Sequence, residues 1–284
     1  MIKKYLNNQY LLTDDRMWIR NFTELKSSAI DINKMHQASD YQELLTNELA
    51  NHRSRYVNID SEKIYHKHVV IISDGYQFEE KQVLLAKLPK DTIIIATNKA
   101  LAKWNLVGDE CPTELKTSIK YFIVNNPFQE CNSFLPKKHR YFPRCIASTR
   151  TNPTFIETYR GMKYFYTPAK NQYFSGPDFN SSYKIDDYRN PICAAIGLSY
   201  IFGAEKILLF CCDDSFDNER AGAEKLENGL WSYPQQLKSS RTIDAKLYWL
   251  KEKEIKLGNH SSGPKLNNAS YITEESITEF FEEE

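Results

Sequence analysis

The 284-residue sequence has no excess of either charge: 37 Lys and Arg stand against 37 Asp and Glu. A protein that binds nucleic acid over a broad face carries a basic surplus, and the total offers no evident nucleic-acid binding. Long hydrophobic runs are missing too. No stretch approaches the ~20 apolar residues of a membrane span. The first residues, Met1-Ile-Lys-Lys-Tyr-Leu-Asn-Asn-Gln9, lack the apolar heart of a secretory signal. The expectation is a cytoplasmic chain. Cysteine is sparse and unpatterned: Cys111, Cys131, Cys145, Cys193, Cys211 and Cys212 include no Cys-x-x-Cys pair and no zinc-like Cys/His spacing. Three of them sit in apolar runs, where a free thiol behaves as a small hydrophobe, and all six are expected reduced. The six histidines are scattered, so no Ser/His/Asp or Cys/His set can be assembled from spacing. Glycine is scarce at ten residues, and no second and third glycine follow Asp74-Gly75 at dinucleotide-fingerprint spacing. NAD chemistry therefore has no support.

What is present falls into two parts. Residues 1 to 66 show helical periodicity at Trp18, Ile19, Phe22 and Leu25, and again at Tyr41, Leu44, Leu45 and Leu49. No strand-like run precedes His66, which predicts a helical cap over 1–66. From there the pattern changes to short continuous apolar runs: Val69–Ser73, Thr92–Ala96, Tyr121–Val124, Arg144–Ala147 and Ile207–Cys212. Such runs mark strands buried on both faces, as in a parallel sheet covered by helices. Helical patterns at Glu79–Leu88 and Lys99–Leu106 alternate with them. The predicted class is α/β, a Rossmann-like doubly wound, mostly parallel sheet over 67–284. The best-marked helix runs from about 191 to 202, with Asn190 as N-cap, Pro191 at its first position and Gly203 just past its end. Residues 215 to 241 are polar and broken by Gly222, Gly229 and Pro234, with Trp231 and Tyr233 standing out. A long excursion after a strand predicts a lid.

In open α/β sheets ligands bind beyond the carboxyl ends of the strands. The residues there are Asp74-Gly75, Thr97-Asn98, Asn125-Asn126-Pro127, Ser148-Thr149 and Asp213-Asp214. Each exit also fits an ordinary turn, since turns favour Asn, Asp and Gly. Taken together, five polar exits suit the ribose, base edge and phosphates of a nucleotide. The N-terminus of the helix at Asn190, preceded by Arg189, offers free N–H groups and a cation for a phosphate. Asp213-Asp214, with Asp217 nearby, offers carboxylate oxygens that suit magnesium or an acidic turn. Lys238 and Arg241, at the end of the excursion, are expected to neutralise a leaving phosphate, with Asp214 as the third catalytic candidate.

From Val69 to about 272 the chain resembles the MptE-like proteins, which include archaeal 6-hydroxymethylpterin diphosphokinases and Maf-type flagellin glycosyltransferases. It also resembles the related Rossmann-like bacterial sialyltransferases of lipooligosaccharide synthesis. Where the sialyltransferases carry Gly-Asn-Gly-Pro-Ser after the first strand, this chain has Ser73-Asp74-Gly75-Tyr76-Gln77 and keeps one glycine. Their second-strand asparagine matches Asn98, and their Tyr-Asn-Pro matches Asn125-Asn126-Pro127. The resemblance implies that these asparagines contact the nucleotide. Their late helix and strand ending in aspartate match Asn190 to Asp213, and Asp244–Leu250 with Ile255–Asn259 is similar to their last segment. Their general-base histidine would fall at about Lys238 to Arg241, and none is there. The diphosphokinases' aspartates after the second and third strands are replaced by Thr97-Asn98-Lys99-Ala100 and Asn125-Asn126-Pro127. That removes expected magnesium carboxylates. The helical cap is closer to the diphosphokinases. Three readings follow: a glycosyltransferase using a nucleotide-sugar donor, an ATP- and magnesium-dependent diphosphokinase, and a non-catalytic nucleotide-binding or structural protein. The expected partners are a nucleotide or nucleotide sugar and an acceptor that the sequence leaves open, and a homo-oligomer is compatible with all three readings.

Overall fold

The computed structural model describes residues 46–47, 50–51, 57–58, 65–97, 99–104, 119–135, 142–168, 184–185, 187, 190–213 and 215–282. The strands in chain order are β1 (Val57–Asn58), β2 (His68–Ile72), β3 (Ile93–Thr97), β4 (Ile119–Val124), β5 (Arg144–Ser148), β6 (Lys163–Pro168), β7 (Lys184–Ile185), β8 (Lys206–Phe210), β9 (Glu224–Lys225), β10 (Trp231–Ser232), β11 (Lys256–His260) and β12 (Ser270–Tyr271). The helices are α1 (Phe78–Lys81), α2 (Ala100–Lys103), α3 (Pro153–Thr158), α4 (Pro191–Ile201), α5 (Pro234–Lys251) and α6 (Ile277–Glu282).

One sheet runs β1-β6-β5-β4-β3-β2-β8-β11-β12, with β7 added beside β6, and every pairing in it is parallel. Parallel strands need crossovers, and the helices that supply them cover both faces. The alternation is read directly from β2: Val69 and Ile71 enter one core, Val70 and Ile72 the other. The first core takes α4 and the Ile243, Leu247, Leu250 stripe of α5. The second takes Phe78 of α1, Leu101 of α2, Phe155 and Ile156 of α3, and Phe280 and Phe281 of α6. This is the Rossmann-like doubly wound α/β fold that the apolar runs predict.

Helix α4 forms where expected. The Asn190 side chain accepts from the Ile192 N–H, Pro191 opens the first turn, and Gly203 closes the end at φ 76°. Every residue from Ile192 to Ser199 is buried, so the helix is a central wall rather than an amphipathic surface element.

Several expectations differ from the structure. A short strand, β1, precedes His66 and pairs with β6 at the sheet edge. Strands β6 and β11 lie outside the five predicted runs, because Lys163-Tyr-Phe-Tyr-Thr-Pro168 and Lys256-Leu-Gly-Asn-His260 are too polar to stand out. The Glu79–Leu88 pattern divides into α1 and a tighter 3₁₀ segment, Gln82–Lys87. Pro234 does not break a helix but starts one: α5 runs 18 residues from it, and the Tyr233 N–H donates to the Gln236 side chain at 2.8 Å. The excursion is thus 215–233, and 234–241 are the first two turns of α5. Of the segment 1–66, the Trp18–Leu25 helix lies outside the described residues, whereas 46–47 and 50–51 are helical.

Candidate functional site

The chain winds outward from β2 through β6 and then returns to place β8 on the other side of β2. The topological switch point therefore lies between the carboxyl ends of β2 and β8. Here the exits cross at close quarters. The N–H of Gly75 donates to the Cys211 carbonyl at 3.0 Å, and the N–H of Cys211 donates to that of His260 at 3.0 Å, linking the ends of β2, β8 and β11. A Cβ on Gly75 would sit 2.3 Å from the Asp213 carbonyl oxygen and 2.4 Å from that of Cys211, so only glycine fits. Cys211 itself is buried and adopts φ 50°, a left-handed conformation rare for a residue with a side chain. Burial, and then the nearby Asp213, push its thiol up to about 12, so it is not a nucleophile at neutral pH.

Asp213 is the centre of this crossing. It is 5% exposed. One carboxylate oxygen, Oδ1, accepts from the Tyr76 N–H at 3.2 Å, from the Ser215 N–H at 3.2 Å and from the Ser215 hydroxyl. The other, Oδ2, accepts from the Ser262 N–H at 3.1 Å. Three loops that are far apart in sequence are held by one carboxylate. Around it stand Lys81, whose Nζ donates to the Ser262 hydroxyl at 3.1 Å, and Lys103, 3.7 Å from the Asp74 carboxylate. Both lysines are half-buried. Among the described residues no cluster of three His, Cys, Asp or Glu is arranged to hold a metal ion.

A second polar cluster lies beyond β4, β5 and β6, three to five strand spacings from β8, which at about 4.8 Å each is roughly 14–24 Å. The Tyr166 hydroxyl donates to Asp187 Oδ2 at 2.8 Å, and the Asn125 amide donates to the same oxygen at 3.3 Å. The Asp187 carbonyl accepts from the Asn190 N–H at 2.7 Å, which sets the carboxylate beside the start of α4. Asn190 in turn donates to the Ser239 hydroxyl of α5 at 2.7 Å. Asp187 and Tyr166 are both buried. Burial, then the Asp187 charge and hydrogen bond, push the Tyr166 phenol well above its ordinary range and keep it neutral. The exit of β5 completes this cluster: Ser148, Thr149, Arg150, Thr151 and Asn152 are five consecutive buried polar residues. From the N-terminal segment, the Asn51 amide donates to the Thr149 and Thr151 carbonyls at 2.9 and 2.7 Å, and Asn47 to the Pro127 and Arg150 carbonyls at 2.9 and 3.3 Å.

The structure thus brings Asp74, Gly75 and Asp213 together at the switch point, and Asn125 and Asn190 together around Asp187. Asn126 points its chemistry elsewhere: its Oδ1 accepts from the Phe128 N–H and its amide reaches Glu130. Lys238 and Arg241 are exposed on α5. Asn98, Arg189 and Asp214 lie outside the described residues. Sequence reasoning missed Asp187, Tyr166, Ser262, Lys81, Lys103, Asn47 and Asn51. The one local signal for Asp187 is its place three residues before a helix N-cap. The excursion folds on itself: β9 and β10 form a hairpin, the Phe216 and Tyr233 rings pack 5.2 Å apart at a 47° tilt, and Lys225 lies 5.9 Å from the Trp231 ring. The Asn228 amide ties the hairpin to the Ser262 carbonyl.

The fold and its switch point define a Rossmann-like α/β protein with two buried polar clusters at the carboxyl end of its sheet. No family model matches the chain, and no curated protein matches it in sequence. A solved structure, the MAf glycosyltransferase from Magnetospirillum magneticum AMB-1, superposes on 84% of the chain with a TM-score of 0.65 and 12% identity. The matched region spans 39% of that protein's length, and the likeness is one of fold.

Proposed function

We propose that the chain is a nucleotide-dependent transferase, and that its donor is a nucleotide sugar. The observation that carries this reading is the pair of polar clusters at the carboxyl end of the sheet, one around Asp213 at the topological switch point and one around Asp187. The fold shared with a MAf glycosyltransferase supports the same reading. In it, Asp74, Gly75, Asn98, Asn125, Asn126, Arg189, Asn190 and Asp213 remain the nucleotide-side residues, and Asp214, Lys238 and Arg241 the catalytic candidates. The half-buried Lys81 and Lys103 flank the Asp213 cluster and suit neutralisation of the departing phosphate. The hairpin over 215–233, tied to Ser262 beside Asp213, serves as the cover that excludes water from transfer.

Thermal shift with a panel of nucleotides and nucleotide sugars tests the reading, because a ligand that binds the native state raises its apparent stability. A shift with a CMP- or UDP-sugar, unchanged in EDTA, is expected. A shift that requires ATP and magnesium supports diphosphoryl transfer instead, and no shift with any member overturns the nucleotide reading.

A further inference from the structure

We propose that Asp187 is the general base that removes the acceptor's hydroxyl proton, with Tyr166 and Asn125 as its positioning residues; this rests on the glycosyl-transfer reading above. A carboxylate is costly to bury, and one retained in an interior must be hydrogen-bonded or used. Asp187 is 6% exposed, stands at the carboxyl end of the sheet, and takes hydrogen bonds from two neutral donors on one oxygen. Those donors come from different strands, the Tyr166 hydroxyl from β6 and the Asn125 amide from the exit of β4. Two donors from separate elements fix the plane of the carboxylate, as a base that must meet one proton in one direction requires. Its carbonyl accepts from the Asn190 N–H at the start of an 11-residue helix.

Ser239 accepts from the Asn190 amide, so the start of α5 adjoins this cluster. The groups described around the carboxylate are Tyr166 from β6, Asn125 from β4, Ser148 from β5, Asn190 from α4 and, behind Asn190, Ser239 from α5. In the step itself the acceptor oxygen forms a bond to the anomeric carbon while the bond from that carbon to the nucleotide phosphate oxygen breaks. The electron pair leaves with the phosphate, and the acceptor proton passes to the Asp187 carboxylate and then to water.

The test uses the full chain with a nucleotide sugar that shifts its melting temperature, and an acceptor that turns over. Asp187→Asn keeps the shape and the capacity to accept from Tyr166 but cannot take a proton. It is expected to bind the nucleotide sugar as wild type does while kcat falls by about 10²–10⁴-fold with KM little changed. Tyr166→Phe leaves the carboxylate and removes one of its two orienting donors. Its kcat is expected to fall while KM and the melting shift with nucleotide sugar stay as in wild type. An Asp187→Asn chain with near wild-type kcat overturns the assignment and leaves the transferase reading standing. If that variant does not fold, a wild-type kcat in Tyr166→Phe overturns the assignment by itself. A wild-type chain that binds no nucleotide sugar overturns the functional reading, and the base with it.

Discussion

Asp213→Asn separates an architectural aspartate from a ligand-binding one. The change is isosteric, yet it converts one oxygen into a donor. The less costly orientation puts the new amide at the Oδ2 position, where it faces the Ser262 N–H now bonded at 3.1 Å. A hydrogen bond to a charged group contributes about 1.5–3 kcal/mol, and the orphaned N–H costs on the order of another 1–3 kcal/mol. The three bonds to Oδ1 survive without their charge assistance and weaken. The sum is about 3–5 kcal/mol. An unfolding entropy of about 2.1 cal/mol/K per residue converts that to a fall of roughly 5–8 °C in Tm for a chain of this size. Urea unfolding followed by circular dichroism, with a thermal melt beside it, measures both. A variant as stable as wild type would show that the three loops do not depend on this carboxylate. The reasoning from its four hydrogen bonds would then fail.

Two further perturbations probe the same sheet edge. Asn51→Leu removes two buried hydrogen bonds to the Thr149 and Thr151 carbonyls, a loss of about 2–4 kcal/mol; hydrogen exchange should show faster opening of residues 148–152, and unchanged protection there refutes the brace. Alkaline pH acts on the buried groups: burial pushes the Cys131 and Cys211 thiols up to about 12 and the Tyr166 phenol well above its ordinary range. Their native pKa values are raised, so the native state holds protons that the unfolded state releases. Stability is full below the thiols' ordinary value and falls as pH rises from about 9 towards 12. Urea midpoints at pH 8, 9.5 and 11 measure the slope, and a Cys211→Ala chain whose midpoint falls as steeply as wild type contradicts the assignment to that thiol.

The sequence alone was enough for the class of fold. Val69-Val-Ile-Ile72 and Ile207-Leu-Leu-Phe210 are legible because a strand buried on both faces must be apolar at every position. Helix α4 is legible because its caps are local: Asn190, Pro191 and Gly203 act on backbone groups within a turn of themselves. The positions of the strand exits follow from those two facts, and so does the expectation that chemistry gathers there. The chemistry itself did not follow. Strands β6 and β11 are held in the sheet by neighbours rather than by their own composition, so no run marked them. Tyr166 and Asp187, Asp213 and Ser262, Asn51 and Thr149 are 21, 49 and 98 residues apart. What each side chain does is set by which loop the crossovers return beside it. A buried carboxylate that binds three loops and one that is oriented by two donors look alike in sequence. Packing alone separates them, because a hydrogen bond between distant residues is decided by where the sheet order brings their strands, and that order is a property of the whole chain.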